Sequence, residues 1–261
     1  MPVIAVIPAR YGSTRFPGKP LALLRGRPLI LHAWDRAREA RSIDRAIVAT
    51  DDERIADAVR RAGGEAAMTS PDCASGSDRA AEVARARPDA EIVVNLQGDE
   101  PNLDPTVIDR VVEALIAAPD CAVATAAAPI RDETEFLSPH VVKVVLDAAG
   151  RALYFSRSPL PSPARLAPAD RAPPDFIWGL KHLGLYAFRR EALLDFAAAA
   201  PAPLERRESL EQLRLLERGA RIKVVRVEAD SIGVDTPADL ERLQRSASAS
   251  RSAPRAPRAK E

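Results

Sequence analysis

Three cationic side chains, Arg10, Arg15 and Lys19, follow directly on the first apolar run of the chain, Val3–Ile7. The same segment, residues 8–20, contains two glycines and three prolines, and we call it the phosphate loop. The ligands of an α/β sheet bind at the carboxyl ends of its strands. Arginine can fork across phosphate oxygens and lysine supplies a point charge. The segment therefore predicts a site for an anionic ligand, with phosphate favoured.

The phosphate loop differs from the two common nucleotide-binding loops. It lacks the G-x-G-x-x-G pattern of dinucleotide enzymes. It approaches a Walker loop at Gly12 and Gly18-Lys19, but the spacing is one residue too long, and Pro20 stands where Ser or Thr must hold magnesium. These departures disfavour a P-loop NTPase or an NAD enzyme. A solvated basic surface loop is the alternative interpretation, and the buried strand directly before the loop argues against it.

Two aspartates are the candidate partners of this loop. Asp99 follows a predicted buried strand at 91–96, and Asp235 lies in a turn before the last predicted helix. A carboxylate at a buried strand end is costly without a partner. Either residue could instead cap a helix or a turn. Two carboxylates from separate elements beside a phosphate loop are nevertheless the parts of a magnesium–nucleotide site.

Apolar runs alternate with helical patterns, which predicts an α/β fold with a mostly parallel sheet. The predicted strands are 3–7, 45–50, 65–69, 91–96, 122–127, 141–146, 152–157, 179–188 and 222–227. The predicted helices begin near Pro28 and Asp52 and cover 78–86, 105–117, 190–199, 205–217 and 237–245. We expect a single domain at 1–245, with a smaller strand-rich excursion at about 130–190. The proline-dense segment 159–174 predicts an extended mobile loop, and 246–261 a disordered tail.

The composition excludes several function classes. The 261 residues carry a net charge of +1 and only 4% aromatics. These values argue against a field that attracts nucleic acid or acidic membranes, and against a stacking platform for single strands. Cys73 and Cys121 are isolated, so a disulfide scaffold or a structural zinc site is not expected. No signal-peptide pattern or membrane-length apolar run is visible, and we expect a cytoplasmic protein without nucleic-acid or membrane partners.

The motifs of the chain, taken in order, resemble the cytidylyltransferases that activate acid sugars. They are Pro8-Ala9-Arg10-Tyr11, Ser13-Thr14-Arg15, Pro17-Gly18-Lys19-Pro20-Leu21, Ile47-Val48-Ala49-Thr50-Asp51, Asn95-Leu96-Gln97-Gly98-Asp99-Glu100-Pro101, Val142-Lys143-Val144-Val145, Leu153-Tyr154-Phe155-Ser156-Arg157, His182-Leu183-Gly184-Leu185-Tyr186, Leu210-Glu211-Gln212-Leu213-Arg214 and Gly233-Val234-Asp235-Thr236-Pro237. The first motif is shared with CMP-sialate synthetases. The later motifs resemble the 3-deoxy-manno-octulosonate (Kdo) cytidylyltransferase, or CMP-Kdo synthetase, family, over residues 2–245.

This resemblance implies a Rossmann-like nucleotidyltransferase fold, similar to glycosyltransferase A, in which the excursion forms the contact of a homodimer. It also implies a reaction in which CTP and Kdo give CMP-Kdo and pyrophosphate with Mg²⁺, supplying lipopolysaccharide synthesis. Arg10, Ser13 and Lys19 would hold the CTP phosphates, while Asp99 and Asp235 would hold magnesium. Arg10, Lys19 and both aspartates would form the catalytic set.

The resemblance places further residues on the sugar side of the site: Arg79, Gln97, His182, Tyr186, Glu208, Glu211 and Gln212. Because the sugar is a carboxylate, Arg79 and His182 are the candidates to meet its charge. Each residue also has a plainer interpretation. Arg79 could be a solvated arginine at the start of a helix, His182 a structural histidine and Tyr186 a core residue. Glu208 and Gln212 would share one helix face, with Glu211 between them.

Two alternative functions stay open at this point. One is a cytidylyltransferase for another acid sugar, sialate or 8-amino-Kdo. The other is a non-catalytic nucleotide-binding protein on the same scaffold. The presence of both Asp99 and Asp235 argues against the second alternative.

Overall fold

The computed structural model describes residues 1–12, 16–171, 173, 175–228 and 233–251. Its strands are β1 Val3–Ala9, β2 Leu23–Leu24, β3 Arg27–Pro28, β4 Arg45–Thr50, β5 Glu65–Met68, β6 Ile92–Asn95, β7 Val123–Ile130, β8 Lys143–Leu146, β9 Ala152–Ser156, β10 Gly179–Arg189 and β11 Ile222–Arg226. Its α-helices are α1 Leu29–Glu39, α2 Glu53–Arg61, α3 Gly76–Arg85, α4 Pro105–Ala117, α5 Glu133–Leu137, α6 Arg190–Ala198, α7 Pro203–Glu208, α8 Leu213–Glu217 and α9 Pro237–Arg251. Within these ranges, no helix is long and apolar enough to cross a membrane.

In the described part of the chain, the main sheet has nine strands, and its central order is β11-β7-β10-β6-β1-β4-β5. The pairs β6–β1, β1–β4, β4–β5 and β7–β11 are parallel, whereas β10 runs antiparallel to both β6 and β7. The hairpin formed by β8 and β9 pairs with β10, so the predicted excursion extends the same sheet. The predicted α/β fold with a mostly parallel sheet is confirmed.

Strand β1 lies in the interior of the sheet, between β6 and β4, and is covered on both faces. Ala5 and Ile7 face the cluster that includes α1 and α4. Ile4 and Val6 face the cluster that includes α3 and α6. A parallel strand that is buried on both faces needs apolar side chains at every position. This requirement explains the uninterrupted apolar run at the start of the chain.

The parallel pairing of β1 with β6 brings two polar segments together. The register places Val6 opposite Asn95, so the phosphate loop and the segment 97–101 leave the sheet side by side. Gly98 permits this closeness, since a Cβ atom there would lie 3.0 Å from Ile30 Cδ1 and 3.1 Å from the Pro8 carbonyl oxygen. A larger residue would push Asp99 away from the loop.

The prediction of one continuous helix at 205–217 is wrong. It divides into α7 and α8 at Ser209, which has a left-handed backbone with φ 54°. The Glu208 carboxylate accepts hydrogen bonds from Ser156 Oγ and from the Arg157 amide, which ties the end of α7 to β9. The chain then turns so that Leu213 is buried. Glu208 and Gln212 therefore do not share a helix face.

Three smaller differences concern element boundaries. Helix α3 begins at Gly76, because Ser75 and Asp78 form a capping box before it. The short helix α5, capped by Asp132, was not predicted. The last helix continues to Arg251, beyond the expected end at Arg245. The disorder of the tail stays a prediction, since residues 252–261 lie outside the described part of the chain.

Candidate active site

A cavity of about 270 Å³ lies at the carboxyl ends of β1 and β6. Its lining includes six of the residues predicted from the sequence: Arg10, Lys19, Arg79, Gln97, Asp99 and Asp235. Residues 73–76, at and just before the start of α3, form another wall. The phosphate loop, the segment after β6 and the start of α9 thus converge on one space. Ser13 and Arg15 lie outside the described residues.

Lys19 is the charged centre of this cavity. Its ammonium nitrogen lies 2.7 Å from Asp99 Oδ2 and 3.5 Å from Asp235 Oδ1. The loop is closed just before it, where the Gly18 amide donates to the Tyr11 carbonyl at 3.0 Å. The Val234 amide donates to the Asp99 carbonyl at 2.9 Å, which fixes the two acidic segments to each other. The two aspartates are therefore neighbours, as the sequence predicted.

The donor set of this site fits a divalent cation. The carboxylates of Asp99 and Asp235 already lie beside one positive group, the Lys19 ammonium. Carboxylate oxygens are the ligands that Mg²⁺ prefers. Among the described residues, no cluster of three or more His, Cys, Asp or Glu side chains could hold a metal ion. Magnesium commonly binds through one or two carboxylates together with substrate phosphates. Asp99 and Asp235 fit that mode, in which the nucleotide completes the shell.

Arg79 is buried, and so is not a solvated arginine. Only 3% of the residue is exposed, and its guanidinium contacts Thr69 Oγ1 and lies 3.3 Å from Asp51 Oδ2. Arg79 belongs to α3 and lines the cavity at the same time. A buried guanidinium with a fixed partner is a rigid donor. It can face a ligand in the cavity without first losing conformational freedom.

Gln97 lies between the cavity and strand β10. A Cβ atom on Gly184 would lie 3.2 Å from Gln97 Cγ and 3.3 Å from Glu100 Oε1. The absence of a side chain at Gly184 thus leaves room for Gln97 beside the strand. Its amide can present both donor and acceptor groups to a polyhydroxylated ligand.

His182 is neutral in the folded protein, which bears on its predicted contact with the sugar carboxylate. The Thr125 hydroxyl donates its hydrogen to the Leu185 carbonyl at 2.6 Å, so it must accept the 3.0 Å hydrogen bond from His182 Nε2–H. Burial, with the Phe155 and Tyr186 rings packed beside the imidazole, lowers the pKa of His182 to about 3. The ring therefore supplies no positive charge for a sugar carboxylate at neutral pH. Contact between His182 and the sugar stays a prediction, in which Nδ1 would be the acceptor nitrogen of the ring.

Glu211 belongs to a buried polar network with Ser77 and Asn95, and Tyr186 lies near enough to feel its charge. The Glu211 carboxylate accepts from Ser77 Oγ at 2.6 Å, and Ser77 Oγ accepts from Asn95 Nδ2 at 3.1 Å. Burial raises the pKa of Glu211. Burial and the nearby Glu211 charge raise the pKa of Tyr186. Because Ser77 is on α3, this network joins α3 to the segment that precedes α8.

Glu208 and Gln212 are placed differently from each other. The bonds of Glu208 to Ser156 and Arg157 connect two parts of the fold. Gln212 is 4% exposed. Neither residue is in the lining of the cavity, as far as the described residues define it. A direct role of Glu208, Glu211 or Gln212 toward the sugar remains a prediction.

Sequence reasoning missed three contributors to the site. Asp51 balances the charge of Arg79, Gly98 permits the close approach of Asp99 to the loop, and Ser75 starts the helix that lines the cavity. The pattern Ser75-x-x-Asp78 is a capping-box signal that could have identified the third. The other two depend on distances between elements that are far apart in sequence.

Comparison with known proteins gives a consistent result. A family model described as cytidylyltransferase matches residues 4–222. The chain is 51% identical over 247 residues to a 3-deoxy-manno-octulosonate cytidylyltransferase of Geobacter metallireducens, covering 93% of this chain and 96% of that protein. It is 50% identical over 243 residues to the protein of the same name from Myxococcus xanthus, covering 92% and 94%.

Solved structures are similar as well. A CMP:2-keto-3-deoxy-manno-octonic acid synthetase complexed with CTP superposes with a TM-score of 0.88 at 41% identity, covering 96% of this chain and 100% of that one. A 4-diphosphocytidyl-2C-methyl-D-erythritol synthase from Anaerococcus prevotii superposes with a TM-score of 0.61 at 16% identity, covering 95% and 98%. The second match bears on the fold alone.

Proposed function

The chain belongs to the cytidylyltransferase family, and we propose that it activates Kdo by transferring CMP from CTP, with release of pyrophosphate. The observation that carries this proposal is the contact of Lys19 with both Asp99 and Asp235 in a cavity that Arg10 also lines. Such a centre suits a triphosphate with its divalent cation. The choice of Kdo rests on relatives of that name at about half identity over nearly the full chain.

The reaction is an in-line displacement. The anomeric hydroxyl oxygen of Kdo attacks the α-phosphorus of CTP, a new O–P bond forms, and the bond from the α-phosphorus to the pyrophosphate oxygen breaks. The hydroxyl proton is lost and pyrophosphate leaves. Phosphoryl-type transfer is accelerated mainly by positioning and by neutralising charge. The protein therefore needs fixed cations near the leaving group more than it needs a covalent intermediate.

Each cavity residue has a proposed part in this step. Arg10 and Lys19 offset the negative charge that collects on the leaving pyrophosphate, as preorganised positive groups do. Ser13 would add a hydroxyl donor to the same phosphates. Asp99 and Asp235 would hold Mg²⁺. When bound there, Mg²⁺ supplies further charge neutralisation at the phosphate oxygens and acidity to a nearby hydroxyl.

The sugar is proposed to lie between the nucleotide and strand β10. Arg79 and Gln97 line the cavity and meet its carboxylate and hydroxyls. His182 and Tyr186 lie on β10, and Glu208, Glu211 and Gln212 close the same side. Since His182 is neutral, the positive charge for the sugar carboxylate comes from Arg79.

We also propose the setting of the reaction. Residues 1–245 form one cytidylyltransferase domain that acts in the cytoplasm, where CTP is available, and its product supplies lipopolysaccharide synthesis. The excursion at about 130–190 forms the contact of a homodimer. Its exposed apolar side chains support this assignment: Leu137 is 54%, Leu153 61% and Ile177 50% exposed.

A substrate panel tests the proposal. The protein is incubated with Mg²⁺ and either CTP or UTP, together with Kdo, 8-amino-Kdo or sialate, and pyrophosphate is measured. We expect release with CTP and Kdo above every other pair. Release with CTP and a different acid sugar alone would overturn the choice of Kdo. Binding of CTP without turnover of any sugar would favour the non-catalytic alternative.

A further inference from the structure

Arg54 contacts the phosphate loop although it is not among the described residues that line the cavity. Its guanidinium carbon lies 3.5 Å from the centroid of the Tyr11 ring. Tyr11 follows Arg10 directly in the chain. The contact therefore falls at the beginning of the loop whose residues Arg10 and Lys19 line the cavity. A guanidinium over an aromatic face is an attractive pair that keeps a defined geometry.

Arg54 is itself held in a fixed position at the start of α2. Asp52 caps this helix by accepting from the Arg54 amide at 3.0 Å. The same carboxylate accepts from Arg54 Nε at 2.9 Å and from Nη2 at 2.6 Å. The two parallel bonds fix the plane of the guanidinium. Asp52 thus orients Arg54 toward the loop.

Tyr11 connects this pair to the far end of the loop. Its carbonyl accepts from the Gly18 amide at 3.0 Å. Its ring also lies against Gly18, because a Cβ atom there would be 3.2 Å from Tyr11 Cε2. Gly18 has φ 71° and directly precedes Lys19. One aromatic residue therefore closes the loop between its two principal cations.

We propose that Arg54 is a positioning residue of the nucleotide site, which fixes Tyr11 and so keeps the contact between Tyr11 and Gly18 closed before the nucleotide binds. The reason is preorganisation, since Lys19, which directly follows Gly18, then loses less conformational freedom when the ligand arrives. The inference rests on the proposed function only for the identity of the ligand as CTP. The closure of the loop is a property of the free protein.

The first test follows the free protein. Hydrogen exchange of the Gly18 amide is measured in the wild type, in Arg54→Ala and in the control Arg60→Ala. Arg60 lies on the same helix and pairs with Glu53 at 2.5 Å. We expect faster exchange in Arg54→Ala by about twofold to fivefold and unchanged exchange in Arg60→Ala. Equal exchange in the two variants overturns the proposal. This measurement needs no substrate, so it is decisive even if the protein turns over no sugar.

The second test follows the ligand. Calorimetry with CTP and Mg²⁺, without sugar, is expected to give a Kd about twofold to fivefold higher in Arg54→Ala, while kcat with saturating CTP stays at the wild-type value. Tyr11→Phe keeps the ring and should weaken CTP binding less than Tyr11→Leu does. Tyr11→Leu should weaken binding by itself but add no further loss to Arg54→Ala. Independent, additive losses would contradict a shared role of the two residues.

Discussion

Lys19 Nζ donates a hydrogen bond of 2.7 Å to Asp99 Oδ2, which joins the phosphate loop to the segment after β6. The same nitrogen lies 3.5 Å from Asp235 Oδ1. The side chains of Lys19 and Asp99 are 16% and 28% exposed, so solvent screens this pair only in part. One ammonium thus separates two carboxylates that would otherwise repel each other. A divalent cation bound by these carboxylates would compete with Lys19 and free its charge for the phosphates.

Lys19→Met tests this arrangement. Without the ammonium, the triphosphate loses a cation and the two carboxylates repel it, so we expect kcat/KM for CTP to fall about 100-fold to 1,000-fold. Steady-state pyrophosphate release measures the change. Lys223→Met is the control, because that lysine bonds to the Ala149 carbonyl and lies away from the cavity. A decrease of less than tenfold in kcat/KM for CTP would show that Lys19 is not the charged centre of the site.

Asp99→Asn tests the acidic half of the centre. The amide keeps the size of the side chain but loses the charge that binds a divalent cation, so turnover should fall by about two to three orders of magnitude. The melting temperature should change little. Pyrophosphate release across a magnesium titration measures the effect, and Asp57→Asn on the surface of α2 is the control. Near-normal activity of Asp99→Asn at low magnesium contradicts its role as a metal ligand.

Gly98→Ala tests the close approach that places Asp99. A Cβ atom would lie 3.0 Å from Ile30 Cδ1 and 3.1 Å from the Pro8 carbonyl oxygen. We expect the free energy of unfolding to drop by about 1–3 kcal/mol, accompanied by lost activity. Gly12→Ala is the stability control, since a Cβ atom there meets nothing within 4 Å. Equal unfolding midpoints in urea for the two variants would show that the segment after β6 accommodates the added methyl group without a loss of unfolding free energy.

His182 predicts a pH dependence of stability. Its pKa is about 3 in the folded protein and 6.5 when unperturbed, so between these values the unfolded chain binds a proton that the folded chain does not. The contribution of His182 to the free energy of unfolding has its full value above pH 6.5. It is lost as the pH falls toward 3, by at most about 1.4 kcal/mol per pH unit. His182→Gln should flatten the curve of unfolding free energy against pH in that window. An unchanged slope would mean that His182 is protonated in the folded state.

Much of the fold could be predicted because fully buried strands leave a simple pattern. The segments that form β1, β4 and β6 are continuous apolar runs. The order of these strands in the sheet determines which loops lie side by side at one sheet edge. Lys19 and Asp99 were therefore predicted as neighbours from the sequence.

The rest depends on contacts between distant segments. The break at Ser209 follows from the bonds of Glu208 to Ser156 and Arg157. The neutral state of His182 follows from burial beside Phe155 on another strand and from a hydroxyl that already has an acceptor. A single sequence carries no local signal for either. For that reason, the single helix at 205–217 was predicted wrongly, and the charge state of His182 was not predicted at all.

The most direct test of the account is ³¹P NMR of the protein with CTP, Mg²⁺ and Kdo. Transfer of CMP to the sugar predicts that the triphosphate signals disappear and that one phosphodiester signal and free pyrophosphate replace them in equal amounts. Unchanged CTP in the presence of Kdo, with consumption only when another acid sugar is supplied, would contradict the account.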